Sequence, residues 1–288
     1  MSEAAMASPA PQKRKVYRHA LVVRVTHWIN ALCIVFLVMS GLQIFNAHPH
    51  LYWGETSTFN QNDVPVDTVL SMGSRTVEGE RQGVVRLFNE WTIVTTGFLG
   101  LSYANGEERR QGFPQWMTIP STRDLATGRL WHFLFAWIFV INGFVYLLYG
   151  LGGRHFWRDL VPSRDQWRSF GRTVLDHLRF RFHRPGDSRY NIIQKLSYLV
   201  VIIALILIVM TGLSMSPGIN AAAPWLPDLF GGRQSARTIH FICMLVIVLF
   251  TLVHIVLVLV SGVWNNIRSM ITGRYVVREE APHEPPSA

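Results

Sequence analysis

Four long apolar runs constrain this chain more than any other feature. They lie at 25–46, 131–151, 192–214 and 238–264. Each is long enough to cross a bilayer, which takes about 20 mostly apolar residues. The core of the third, SYLVVIIALILIVMTGLSM, carries no charge, and that of the fourth, FICMLVIVLFTLVHIVLVLV, carries one basic residue, His254. A helix of a soluble bundle shows a polar stripe at helical period. These runs are apolar nearly all round, and only 16% of the chain is charged, low for a soluble domain. The fold class that follows is all-α: an integral membrane four-helix bundle with a long loop between spans 1 and 2.

The reading divides the chain into an N-terminal segment (1–24), a membrane domain (25–264) and a C-terminal tail (265–288). Basic residues gather on the cytoplasmic side of membrane spans. Lys13, Arg14, Lys15 and Arg18 precede the first span, with Arg24 at its edge; 152–191 holds nine arginines against four aspartates; Arg268, Arg274 and Arg278 follow the last span. Both termini and the 152–191 connection are therefore expected in the cytoplasm. The 47–128 loop and the 216–236 turn then face the periplasm, in the inner membrane of a bacterium. The net charge of +9 follows the membrane edges and forms no separate basic domain, which argues against nucleic-acid binding. No cleavable signal is read, so the first span is expected to be retained. Cys33 and Cys243 lie inside apolar runs and read as small buried hydrophobes.

The 47–128 loop is long enough to fold by itself. Its apolar stretch WTIVTTGFLGLSY (91–103) is too short to span, and is expected at the interface or packed within the loop. No internal repeat is read.

Titratable residues within a span are costly and mark function. His27 stands near the start of span 1, His132 near the start of span 2, His240 near the start of span 4 and His254 deep within it; span 3 has none. His240 and His254 are 14 residues apart, about 21 Å along a helix and on nearly the same face. The expected topology sets His27 near the depth of His254, and His132 near the depth of His240. Two facing imidazole pairs are what bis-histidine haem iron requires. Arg24, Arg129 and Arg237 each stand three residues before a histidine, one turn nearer the water, where a haem propionate lies. Gly41 and Gly143 are candidates for the clearance that a flat macrocycle needs between helices. No C-x-x-C-H occurs, so covalent haem attachment is not expected. His48 and His50 read as loop residues, and His155 as the rival ligand. Isolated polar contacts or a proton relay remain the other reading of the histidines.

The chain resembles the bacterial four-helix di-haem cytochromes b, the group of cytochrome b561, nickel-hydrogenase cytochrome b, formate dehydrogenase gamma and thiosulfate reductase cytochrome b subunits. The resemblance covers roughly 16–275. It rests on THWIN around His27, SGLQIF (40–45), GRLWHF around His132, YNIIQKLSY (190–198), TGLSMSP (211–217), and ARTIHF and VHI around His240 and His254. It implies two non-covalent b-type haems, one on His27 and His254 (inner) and one on His132 and His240 (outer). It also implies a membrane quinone, exchanging on the inner side where Arg24 could contact it, and an external redox subunit. The long outer loop places the chain nearer the thiosulfate-reductase-like branch, so the implied partner is a molybdopterin oxidoreductase or a c-type cytochrome docking on that loop, with Trp53, Trp91 or Trp116 as anchors. The expected role is electron transfer between this periplasmic partner and the quinone pool. Two other functions stay open: a stand-alone superoxide:quinone oxidoreductase, and a non-redox four-span transporter or scaffold.

Overall fold

A computed structural model describes residues 12–152, 163–168, 170–171, 175 and 192–279. In chain order it holds β1 (Gln12–Tyr17), α1 (Leu21–Ala47), β2 (His50–Leu51), β3 (Leu70–Val77), β4 (Glu80–Leu87), β5 (Trp91–Val94), β6 (Ser102–Ala104), β7 (Glu107–Arg109), α2 (Leu125–Gly152), α3 (Ile192–Met215), α4 (Arg233–Val260), α5 (Val263–Thr272) and β8 (Arg274–Glu279). Among the described residues, helices α1 to α4 are the four that are long and apolar enough to cross a membrane, so the chain is a multi-pass membrane protein. Large apolar side chains on these helices face outward, among them Leu130, Trp137, Ile141, Phe144, Leu249 and Val256. Small and polar ones face inward: Ser40, Gln43, Asn142, Thr211 and Ser214 are buried. Lipid offers no hydrophobic drive for helix association, so close packing of small residues and interhelical hydrogen bonds hold such helices together. One such bond runs from Asn142 Nδ2 on α2 to Asn30 Oδ1 on α1, at 2.7 Å.

The chain forms two compact units, one from Ile29 to Thr251, the other of the segments up to Trp28 and from Leu252 onward. In the first unit, β2–β3–β4–β5 make an antiparallel sheet in sequence order, and β6 pairs with β7. The sequence reading left this segment's structure open. Its apolar stretch folds as β5, whose four residues are exposed, then a turn and the start of β6, where Leu101 and Ser102 are buried. The hairpin β3–β4 turns through Glu78 and Gly79, both at positive φ (52° and 85°), as a two-residue connection between right-twisted strands demands. The sheet is seated on α1: Leu42 and Phe45 share a buried cluster with Leu51, Leu70, Met72, Val85 and Phe113. Polar bonds fix the seat. Asn46 holds Phe113 at both ends, donating from Nδ2 to its carbonyl (3.0 Å) and accepting its N–H (2.7 Å). On α4, Thr238 Oγ1 donates to the Tyr52 carbonyl at 2.7 Å, and Ser235 Oγ accepts from the Gly54 N–H at 2.7 Å. Asp124 caps α2, its carboxylate accepting the Thr127 N–H at 3.0 Å.

In the second unit, β1 pairs antiparallel with β8 from Gln12↔Glu279 to Tyr17↔Arg274. The fourth span ends sooner than its apolar sequence suggests. Gly262, at φ 102°, breaks the helix after Val260, and Asn266 Nδ2 donates to Ser261 Oγ at 2.9 Å across the break. The apolar residues that follow belong to the amphipathic α5.

Candidate metal centres

Each unit brings one pair of the four span histidines together. In the first, the His132 ring on α2 lies 6.2 Å from the His240 ring on α4, centre to centre. In the second, the His27 ring on α1 lies 6.1 Å from the His254 ring on α4. A metal that takes one imidazole nitrogen from each side at about 2.0–2.1 Å sets two ring centres about 6 Å apart. Among the described residues, no three His, Cys, Asp or Glu side chains gather as a metal cage. Two protein ligands suit an iron whose other four come from a porphyrin.

The His132–His240 pair is built on a local repeat. Residues 38–42 of α1 read VMSGL and residues 209–213 of α3 read VMTGL. Ser40 Oγ lies 3.0 Å from His132 Nδ1, and Thr211 Oγ1 lies 3.1 Å from His240 Nδ1. Each hydroxyl donates its one hydrogen back along its own helix at 2.6 Å, Ser40 to the Phe36 carbonyl and Thr211 to the Leu207 carbonyl. The hydroxyl is thus left as an acceptor, so each Nδ1 carries the proton. Nε2 of both rings then keeps its lone pair for a metal. The glycine of each repeat makes room for the ring. A Cβ on Gly41 would stand 3.3 Å from His132 Cε1, and one on Gly212 would stand 3.3 Å from His240 Cε1. Gly41 therefore adjoins the His132 imidazole. Gly143 has open space where its Cβ would be. Ser40, Thr211 and Gly212 carried the resemblance within SGLQIF and TGLSMSP, but the repeated [ST]-G pair was given no site role from sequence.

The arginines differ. Arg237 is half-buried, over the Phe45 ring at 5.7 Å, and Nη2 donates to the His48 carbonyl at 2.5 Å. Arg129 is exposed on the outside of α2, with its guanidinium 5.6 Å from the Phe133 ring. Arg24 Nη1 donates to the Ile271 carbonyl in the last turn of α5, while its Nε is buried without a partner. His254 is exposed and His27 half-buried. His155, the rival ligand, lies outside the described residues.

His48 and His50 are more than loop residues. His50 is in β2, its Nδ1 2.8 Å from Ser71 Oγ. The His48 ring stacks on Tyr52 at 5.7 Å and 17° and meets His50 at 5.0 Å. Burial, aided by the Arg237 charge, lowers the pKa of His48. Burial, the neighbouring His48 and Arg237 push His50 down to about 4. Burial raises the Tyr52 phenol, against the pull of Arg237.

The profile of the prokaryotic cytochrome b561 family matches residues 18–273. The chain belongs to that family. A relative from Azospira oryzae (strain ATCC BAA-33 / DSM 13638 / PS), described as putative protein-methionine-sulfoxide reductase subunit YedZ1, is 27% identical over 240 residues, covering 83% of this chain and 89% of the relative. Membership makes this a membrane protein that binds b-type haem, as the sequence resemblance implied.

Proposed function

We propose that this member of the cytochrome b561 family is the electron-carrying membrane subunit of an oxidoreductase, with two b-type haems, one on His132 and His240 and one on His27 and His254. The observation that carries the reading is the equal separation of the two imidazole pairs, 6.2 and 6.1 Å. Haem iron supplies one-electron exchange between its ferric and ferrous forms. The four histidines would hold the iron, with Ser40 and Thr211 fixing the proton on Nδ1 of His132 and His240 and leaving Nε2 free to bind. Two such centres on one continuous α4 provide an electron path through the membrane. Arg24, Arg129 and Arg237, each one turn before a ligand, are the candidate partners of the propionates.

The two ends of the path are a quinone and a periplasmic partner, with the chain in the bacterial inner membrane and both termini in the cytoplasm. Quinone exchange falls to the His27–His254 end, where His254 is exposed and Arg24 Nε is unpartnered. The name of the Azospira relative favours a reductase as partner; the molybdopterin type is what the long outer loop and the family resemblance imply. Reducing a sulfoxide to a thioether takes two electrons and two protons and releases water; oxidation of one quinol releases two electrons and two protons. The direct test is haem reduction in the purified chain by a soluble quinol analogue. Reduction that an inhibitor of quinone sites abolishes is expected; haem that dithionite reduces and quinol does not would remove the quinone from the account.

The sheet is the partner's docking surface in this reading. Strand β5 is a sheet edge with all four residues exposed, and an open edge invites pairing. Trp91 on it is 70% exposed, and Trp116, also 70% exposed, stacks on Phe98 at 6.1 Å. Trp53 is exposed as well. Shortening the loop between Asn60 and Arg86 would remove β3 and most of β4, and with them the cluster seated on α1, so substitutions are the better probe. Trp91→Ala with Trp116→Ala is expected to slow electron exchange with the partner about tenfold or more. Haem content and full reduction by dithionite should stay unchanged. An unaltered exchange rate moves docking to the 216–236 turn.

A further inference from the structure

Beside Arg237, already a candidate propionate partner, lie two buried polar side chains to which no role has been given. Tyr52 is 1% exposed, and its hydroxyl is buried without a hydrogen-bond partner. The His48 ring stacks on it, and His48 Nε2 is also buried and unpartnered. Buried polar groups are ordinarily paired, and leaving one unsatisfied is costly. Two orphans on stacked rings mark a place where something accepts or donates. Arg237 joins them, bonded to the carbonyl of His48 itself. A half-buried cation calls for an anion, yet among the described residues no carboxylate pairs with Arg237.

The position selects the occupant. Arg237 stands one helical turn before His240 on α4. His48 stands seven residues beyond Gly41, two turns or about 10 Å further along, and Gly41 adjoins the His132 ring. The cluster therefore lies directly past the ligand pair, towards the sheet, where the carboxylates of a porphyrin on those ligands would reach.

We propose that Tyr52, His48 and Arg237 form a carboxylate pocket that receives a propionate of the haem on His132 and His240. The phenol and the imidazole each donate one hydrogen bond and Arg237 supplies the charge. The pocket fixes which way round the macrocycle enters, and couples the haem to β2 of the sheet. The inference rests on the bis-histidine reading of His132 and His240. A free carboxylate or phosphate from solution would suit the same donors, and the test separates the two sources.

The test uses the full chain in the His27→Ala background, which leaves the outer pair, freed of haem and reconstituted with haemin or with haemin dimethyl ester. The ester keeps the iron and ring but has no carboxylate charge. Binding is read from the Soret band. Haemin should bind about tenfold or more tighter than its ester, since hydrogen bonds to a charged group contribute about 1.5–3 kcal/mol each. Tyr52→Phe and His48→Phe keep the stacked rings and remove the donors, so each should narrow that preference several-fold and leave affinity for the ester unchanged. Equal binding of the two haems by the parent chain would overturn the proposal even if neither variant folds, and would leave the pocket to a solution anion. So would a preference that both variants retain. Failure of either haem to give a bis-imidazole spectrum that His132→Ala abolishes would instead sink the ligand assignment beneath it.

Discussion

Replacing His132 by alanine should remove one haem, and replacing His240 should remove the same one. Each change would leave the site between α2 and α4 with one imidazole, although the facing histidine and its hydroxyl partner remain. His27→Ala and His254→Ala should in turn remove the other haem. A redox titration followed in the visible band should resolve two components in the parent chain. One of the two should vanish in each variant, with the same identity within each pair. The expected loss is the whole component, because in this reading only two protein ligands would hold each iron, and no third metal-binding side chain stands near among the described residues. If His27→Ala and His240→Ala delete the same component, the pairing is wrong.

Gly41→Val and Gly212→Val should empty or deform the His132–His240 site, and Gly143→Val should not. The first two positions already put a bare Cβ 3.3 Å from a ligand ring, tighter than ordinary van der Waals contact, and the branched methyls of valine add further bulk. The ring would have to turn off its hydroxyl partner, Ser40 or Thr211, and with it the Nε2 that faces the iron. Gly143 has nothing within 4 Å of its Cβ. Glycine is also about 1 kcal/mol poorer than alanine inside a helix. Propensity alone therefore predicts a firmer helix from Gly41→Ala, so any weakening there is an effect of the site. The measurement is haem per chain with the low-spin fraction of the spectrum. Valine at 41 or 212 that keeps a full complement of low-spin haem would show that the glycines serve helix packing alone.

The spans were legible because a bilayer demands nearly unbroken apolar sequence, and the histidines were legible because helical rise turns spacing into depth. The same rule misplaced the end of α4. Val263 and Trp264 continue the apolar run, while Gly262 ends the helix through a backbone conformation that hydropathy does not register. The sheet left a fainter trace. Strand β5 is exposed on both faces, so it lacks the alternation that marks a half-buried strand, and the one local signal was the Glu78–Gly79 turn. The hydroxyl and glycine behind each outer ligand were harder still. VMSGL and VMTGL are five residues long and lie on helices other than those that carry His132 and His240. Tyr52 and His48 were hidden for a related reason: a phenol and an imidazole in a loop gain meaning only when α4 brings Arg237 to them.

If four histidines hold two haems, a haem count must show it. Purified chain should contain two protohaems per polypeptide. Acid–acetone should extract both, since no covalent attachment motif exists, and the oxidised protein should show only low-spin iron. One haem per chain, or haem that stays with the polypeptide after extraction, would contradict it.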